Sequence, residues 1–106
     1  MMKTIKMQAH YTHDSTQIKV LIRYPTLVKP IPDHETGVMV QRPHLKRVEI
    51  TYHPTGDIFI FYLNEGLPVN PYFSVTVNDI HRGWNVSVAW YDNAGNSDLE
   101  PFDLPK

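Results

Sequence analysis

Apolar and polar residues alternate along most of this chain with a period of two. IKVLIRY, from Ile18 to Tyr24, is an apolar, β-branched run in which Lys19 and Arg23 take outward positions. KRVEITY, from Lys46 to Tyr52, sets Val48, Ile50 and Tyr52 on one side and Glu49 and Thr51 on the other. YFSVTV (Tyr72 to Val77) and NVSVAWY (Asn85 to Tyr91) alternate in the same way. Ile5 to Ala9 and Leu99 to Leu104 are weaker terminal runs. Period-two spacing with β-branched and aromatic enrichment predicts a strand for each. DIFIFYL, from Asp57 to Leu63, is different, being apolar on both sides. That pattern predicts a strand buried on both faces or lying at an interface.

Turn residues punctuate these runs. HPTGD, with Pro54 and Gly56, joins the third and fourth strands. HRG, His81 to Gly83, joins the fifth and sixth, and DNAGN joins the sixth and seventh. In the last of these, Asp92 or Asn93 can hydrogen-bond its own backbone and Gly95 can supply a positive φ, so WYDNAGN reads as a hairpin corner and not as a catalytic Asp92. Nine prolines leave no room for a long helix. About seven short strands at regular spacing, with no helical period, predict an all-β fold: an immunoglobulin-like antiparallel β-sandwich made by one domain, residues 1–106. The Cys–Trp–Cys hallmark of antibody domains is missing. One segment interrupts the meander. TLVKPIPDHETGVMVQRPHL, from Thr26 to Leu45, is a long Pro-rich connection with a short apolar strand, VMV (Val38 to Val40), inside it. Long connections on small domains often carry function.

Composition narrows the function classes. A formal net charge of -1 gives no electrostatic footprint for nucleic acid or an anionic membrane. With no cysteine, the chain has no disulfide, no thiolate nucleophile and no sulfur carrier of its own. MMKTIKMQAHYTH lacks a continuous apolar stretch, so no secretory signal is read there. No run approaches the roughly 18 apolar residues of a membrane helix.

The residues that could carry chemistry do not converge. His10 and His13 are three apart, which on a strand puts them on opposite faces, and His34, His44, His53 and His81 are scattered among loops and strand ends. No metal site and no cofactor is expected from them. Ser15, Ser74, Ser87 and Ser97 lie in no nucleophile elbow. Asp33 with Glu35, and Asp98 with Glu100, sit in polar segments where nothing would raise a carboxyl pKa for acid catalysis. Tyr62, Tyr72, Phe73, Trp84, Trp90 and Tyr91 are expected to pack in the core and hairpins. Trp84 beside Arg82 is the one seed of a carbohydrate- or surface-binding platform. Interaction remains. DIFIFYL and the apolar residues of the long connection offer a partner surface, with Phe59, Phe61 and Leu63 from the first and Leu27, Val38, Met39 and Val40 from the second.

The order of these segments resembles the SoxZ family, the non-carrier subunits of the SoxYZ complex of bacterial sulfur oxidation. IKVLIRYP (Ile18 to Pro25) is similar to the family's first long strand, and RPHLKRVEITY (Arg42 to Tyr52) to its P-x-H-apolar segment and the strand after it. NPYFSVTV (Asn70 to Val77) resembles its N-P-aromatic-apolar strand, and WYDNAG (Trp90 to Gly95) its W-x-D-x-x-G corner. The family's P-M-x-T-G element is replaced: Pro25 is followed by TLVKPIP, and a Thr-Gly comes only at Thr36–Gly37. The resemblance implies an immunoglobulin-like sandwich without an active site. It implies a heterodimer with a SoxY-like carrier whose arm holds the sulfur intermediate on a cysteine, and docking of other sulfur-oxidation enzymes through that complex. It further implies a periplasmic location reached by export with the partner. Without the partner, an unpaired edge strand makes a homodimer the alternative state. The competing expectation is a free-standing carbohydrate- or surface-binding module.

Overall fold

The computed structural model describes residues 3–24, 44–63 and 71–106. Among them are seven strands and no helix: β1 (Ile5–Tyr11), β2 (Thr16–Ile22), β3 (Leu45–Tyr52), β4 (Asp57–Tyr62), β5 (Tyr72–Val77), β6 (Asn85–Asp92) and β7 (Ser97–Asp103). They form two antiparallel sheets, ordered β1-β2-β5 and β4-β3-β6-β7. This is the predicted immunoglobulin-like sandwich. The predicted VMV strand lies outside the described residues.

Alternation builds the core. Ile18, Val20 and Ile22 of β2 face Val48, Ile50 and Tyr52 of β3 and Val86, Val88 and Trp90 of β6, all buried. These are the inner strands of the two sheets, so each inward side chain meets the opposing sheet and loses its contact with water. Burial of one such side chain contributes on the order of 1.5–3 kcal/mol. Ile5 and Leu104 close the same core from the terminal segments.

Strand limits differ from the sequence pattern at β7, which begins at Ser97, at β2, which runs from Thr16 to Ile22, and at β1, which runs on to Tyr11 and pairs it with Thr16. The reason is the tight turn that follows, where the Thr12 amide donates to the Ser15 carbonyl at 2.9 Å. Gly56 closes the β3–β4 hairpin with φ 78° and Gly95 closes the β6–β7 corner with φ 87°. Pro101 sits inside β7, which is tolerated because β7 is an edge strand.

The two terminal strands are sewn together along one side of the sandwich. Trp90 Nε1–H donates to Thr4 Oγ1 at 2.9 Å, and the Thr4 hydroxyl donates to Asp98 at 2.5 Å. Lys3 reaches Glu100 at 3.5 Å. At the far end of β1, the Tyr11 hydroxyl donates to the Pro105 carbonyl at 2.6 Å.

Candidate functional site

The β1–β2 and β3–β4 hairpins and the β5–β6 crossover between the sheets gather at one end of the sandwich, and the β6–β7 corner occupies the other. At the corner, Asp92 does what its position predicts: Oδ1 accepts the Ala94 amide at 3.0 Å and the Asn96 amide at 2.7 Å. The carboxylate also reaches beyond its own turn. Oδ2 accepts the Tyr24 hydroxyl at 2.6 Å and the Asn96 side-chain amide at 3.0 Å. Asn93 accepts the His44 amide at 2.9 Å and donates its own amide to the His44 carbonyl at 3.2 Å. Tyr24 and His44 are the described residues that flank segment 25–43. The corner is therefore the anchor of both ends of the long connection. The sequence pointed to the local turn; the bond to Tyr24, across 68 residues, left no local signal.

The electrostatics of this knot are structural. Burial alone would raise the Asp92 pKa, but the hydrogen bonds from Tyr24, Asn96 and Ala94 outweigh it and hold the carboxyl below its usual range. Burial, then the bond to Asp92 and its charge, push the Tyr24 hydroxyl well above its usual range. Tyr24 also stands edge-on to Trp90, with ring centroids 5.4 Å apart. An ionised carboxylate saturated by four donors has no lone pair positioned for proton transfer at neutral pH.

β4 carries the apolar strand that the sequence marked as an interface. Phe59, Phe61 and Leu63 are half-buried and packed against the core, and Phe61 meets Phe73 of the other sheet at 4.9 Å. The opposite side chains are the exposed ones: Ile58 is 57% exposed, Ile60 45% and Tyr62 75%. Both sets are apolar, so parity alone could not tell which faces out. Leu27, Val38, Met39 and Val40 lie outside the described residues. The exposed row continues across the sheet. Arg47 of β3 pairs with Tyr62 on one side and Tyr91 on the other. Its guanidinium stacks on Tyr91 at 4.3 Å. Arg47 Nε lies 3.1 Å from Glu49, yet out of line for a hydrogen bond, so that buried N–H has no aligned acceptor. Ile60, Glu49, Ala89 and the exposed Leu99 form the next row. The result is an outer face of aliphatic and aromatic groups around one Arg–Glu pair.

Of the rings that the sequence assigned to packing, Trp84 alone lies at the other end of the sandwich. Only Trp90 is buried; Tyr62, Tyr72 and Trp84 are exposed, Trp84 by 51%. The correction has a geometric cause: Trp84 precedes β6, in the β5–β6 turn, where no opposing strand can cover it. His81 stands edge-on to Trp84 at 5.4 Å and its Nδ1 lies 2.5 Å from Asp79. Arg82 is drawn away to stack on Tyr11 at 4.6 Å. An open cleft of about 460 Å³ beside Trp84 is lined by His53, Gly83 and Asn85. His53 is itself engaged with Ser87 at 2.7 Å. Among the described residues no three His, Asp or Glu side chains group as metal ligands do. Nor, among them, is any helix long and apolar enough to cross a membrane.

The sequence as a whole matches the family of the sulphur oxidation protein SoxZ, over residues 4–102. The chain belongs to the SoxZ family. No curated protein matches it. The SoxZ match takes in all six strands β1 to β6 and most of β7, and with them both the Asp92 corner and the exposed β4 row. As a SoxZ-family chain it is a sulfur oxidation protein.

Proposed function

We propose that this chain is the non-catalytic subunit of a SoxYZ-type carrier complex, binding and supporting a cysteine-bearing SoxY-like partner in thiosulfate or sulfur oxidation. The single observation that carries the reading is a SoxZ-family match over nearly the whole length of a chain with no cysteine. A chain without a thiol cannot hold a persulfide or thiosulfonate adduct through sulfur, so the adduct must ride on another chain. This subunit then contributes docking surface and no bond-making residue. The apolar residues of β4 supply the surface on the described part of the chain; Leu27, Val38, Met39 and Val40 of the long connection are proposed to extend it. The complex works in the periplasm, where the subunit arrives bound to its partner and where the other sulfur-oxidation enzymes dock on it.

Co-expression with the SoxY-like partner, followed by size-exclusion chromatography with light scattering, tests the proposal. A co-eluting one-to-one complex, weakened by Tyr62→Asp on the exposed row of β4 or by Met39→Asp, is the expected result. Separate elution of the two chains would defeat it. The exposed Trp84 beside its open cleft supports a second reading, a carbohydrate-binding module. Glycan-array binding lost in Trp84→Ala would favour that reading over the first.

A further inference from the structure

The register of the β3–β4 hairpin fixes which backbone groups of β4 are engaged. The Leu63 amide donates to the Lys46 carbonyl at 2.9 Å, which makes Leu63–Lys46 a hydrogen-bonded pair. Pairs alternate along an antiparallel ladder, so Phe59 and Phe61 also turn their N–H and C=O groups toward β3. Ile58, Ile60 and Tyr62 turn theirs the other way. β4 is the outermost strand of its sheet, so among the described residues that side has no strand neighbour. The residues with outward backbone groups are therefore the same three with exposed apolar side chains.

The remaining edges are defended. β7 carries Pro101, with Asp98 and Glu100 beside it. The Leu104 amide donates to the Trp84 carbonyl, and the same alternation places the donor that Pro101 lacks on the free side of β7. β1 bears Lys6 and is tied to β7 through Thr4 and Lys3. On the free side of β5 stand Tyr72, Ser74 and Thr76, two of them polar. Among the described residues, only β4 offers a free edge made wholly of Ile and Tyr, with no Lys, Pro or bulge to block a second strand.

We infer that the β4 edge pairs with the β4 edge of a second copy of this chain, antiparallel about a two-fold axis at Ile60. Ile60 then faces Ile60 of the second copy, and Ile58 faces Tyr62. Both matches are apolar and bring no like charges together. Each copy's Ile58, Ile60 and Tyr62 exchange their free N–H and C=O groups with the other copy's, and the two four-stranded sheets become one continuous sheet. Only pairings that set exposed positions opposite exposed positions keep both faces in phase. A two-fold axis at Phe59 would set Tyr62 against Gly56 of the turn, whereas the axis at Ile60 sets it against Ile58.

The absence of cysteine allows a direct test on the isolated 106-residue chain. A hydrogen-bonded pair on the axis has its Cα atoms about 5.5 Å apart, within disulfide reach. Ile60→Cys should form a covalent dimer under mild oxidation, more than about tenfold faster than Ile58→Cys, because the paired sulfurs share a millimolar effective concentration. The two copies of position 58 lie about 14 Å apart in this register. Light scattering should find the wild-type chain at about twice its 12.3 kDa mass, and Ile60→Lys at the monomer mass with an unchanged circular dichroism spectrum. A monomeric wild type, a dimer that survives Ile60→Lys, or equal cross-linking at positions 58 and 60 would each overturn the inference. These measurements need no partner chain, so they leave the carrier-subunit reading to its own experiment.

Discussion

Replacing Tyr24 by Phe removes one oxygen and leaves the rest of the Asp92 knot in place. That oxygen is the donor at 2.6 Å to a carboxylate only 7% exposed, from a ring only 8% exposed. A hydrogen bond to a charged group contributes about 1.5–3 kcal/mol. Asp92 keeps Ala94 and Asn96 as donors, so it is not left bare, and a loss near 2 kcal/mol follows. For a chain of this size that is a fall in Tm of about 8 °C. The loss has a pH signature. The folded-state pKa of Asp92 lies below its ordinary value of 3.8, so its contribution is complete above 3.8 and is lost as the pH falls through the lowered value. The gap between wild type and Tyr24→Phe should accordingly be widest near neutrality and close once the carboxylate protonates. Denaturant titrations of both proteins between pH 7 and pH 2.5 measure it. A gap below about 0.5 kcal/mol at pH 7 would refute the reasoning, since that is the scatter of ordinary surface substitutions. So would a full-sized gap that persists in acid.

Other outcomes follow from the same structure. Thr4→Val should cost about 1–2 kcal/mol, because it strands the Trp90 indole N–H and leaves the Asp98 carboxylate only the Leu99 amide; thermal melts of the variant test this. Gly95→Ala should cost about 1–2 kcal/mol from backbone strain alone, since a Cβ there meets nothing within 4 Å; Gly95→Asn, which tolerates the same φ, should recover part of it. Tyr24 and Tyr52 both have raised pKa values, with burial the largest cause, so their contributions are complete below pH 10.0 and are lost as the pH rises above it. Ultraviolet titration of the folded protein should leave these two unionised until the sandwich opens. Val48→Ala, at a fully buried position of β3, should cost about 2–3 kcal/mol in denaturant unfolding.

The fold was legible because its core obeys a two-residue period. Val48, Ile50 and Tyr52 against Glu49 and Thr51 state which side of β3 is inside, and the structure agrees. β4 was not legible in the same way. Ile58, Ile60 and Tyr62 are as apolar as Phe59 and Phe61, and only the neighbouring sheet decides which row it covers. The Asp92 turn was readable from Asp, Gly and Asn within five residues. Its bonds to Tyr24 and its neighbour's bonds to His44 were not, because pairing across long separations leaves no period. Trp84 escaped the packing assignment for the same reason: a ring in a turn looks, in sequence, like a ring at a strand end.

The stitches between β1 and β7 set an order of events in time. Thr4 and Asp98 are separated by 94 residues, and so are Tyr11 and Pro105. Chains dominated by contacts of such separation fold in milliseconds to seconds, not microseconds. On the ribosome, at about 5–20 residues per second, β1 waits for several seconds before its last partners exist. The final strand also supplies the far edge of the larger sheet, and Leu104 seals the core behind it. Completion of this domain therefore waits until its last strand has been made.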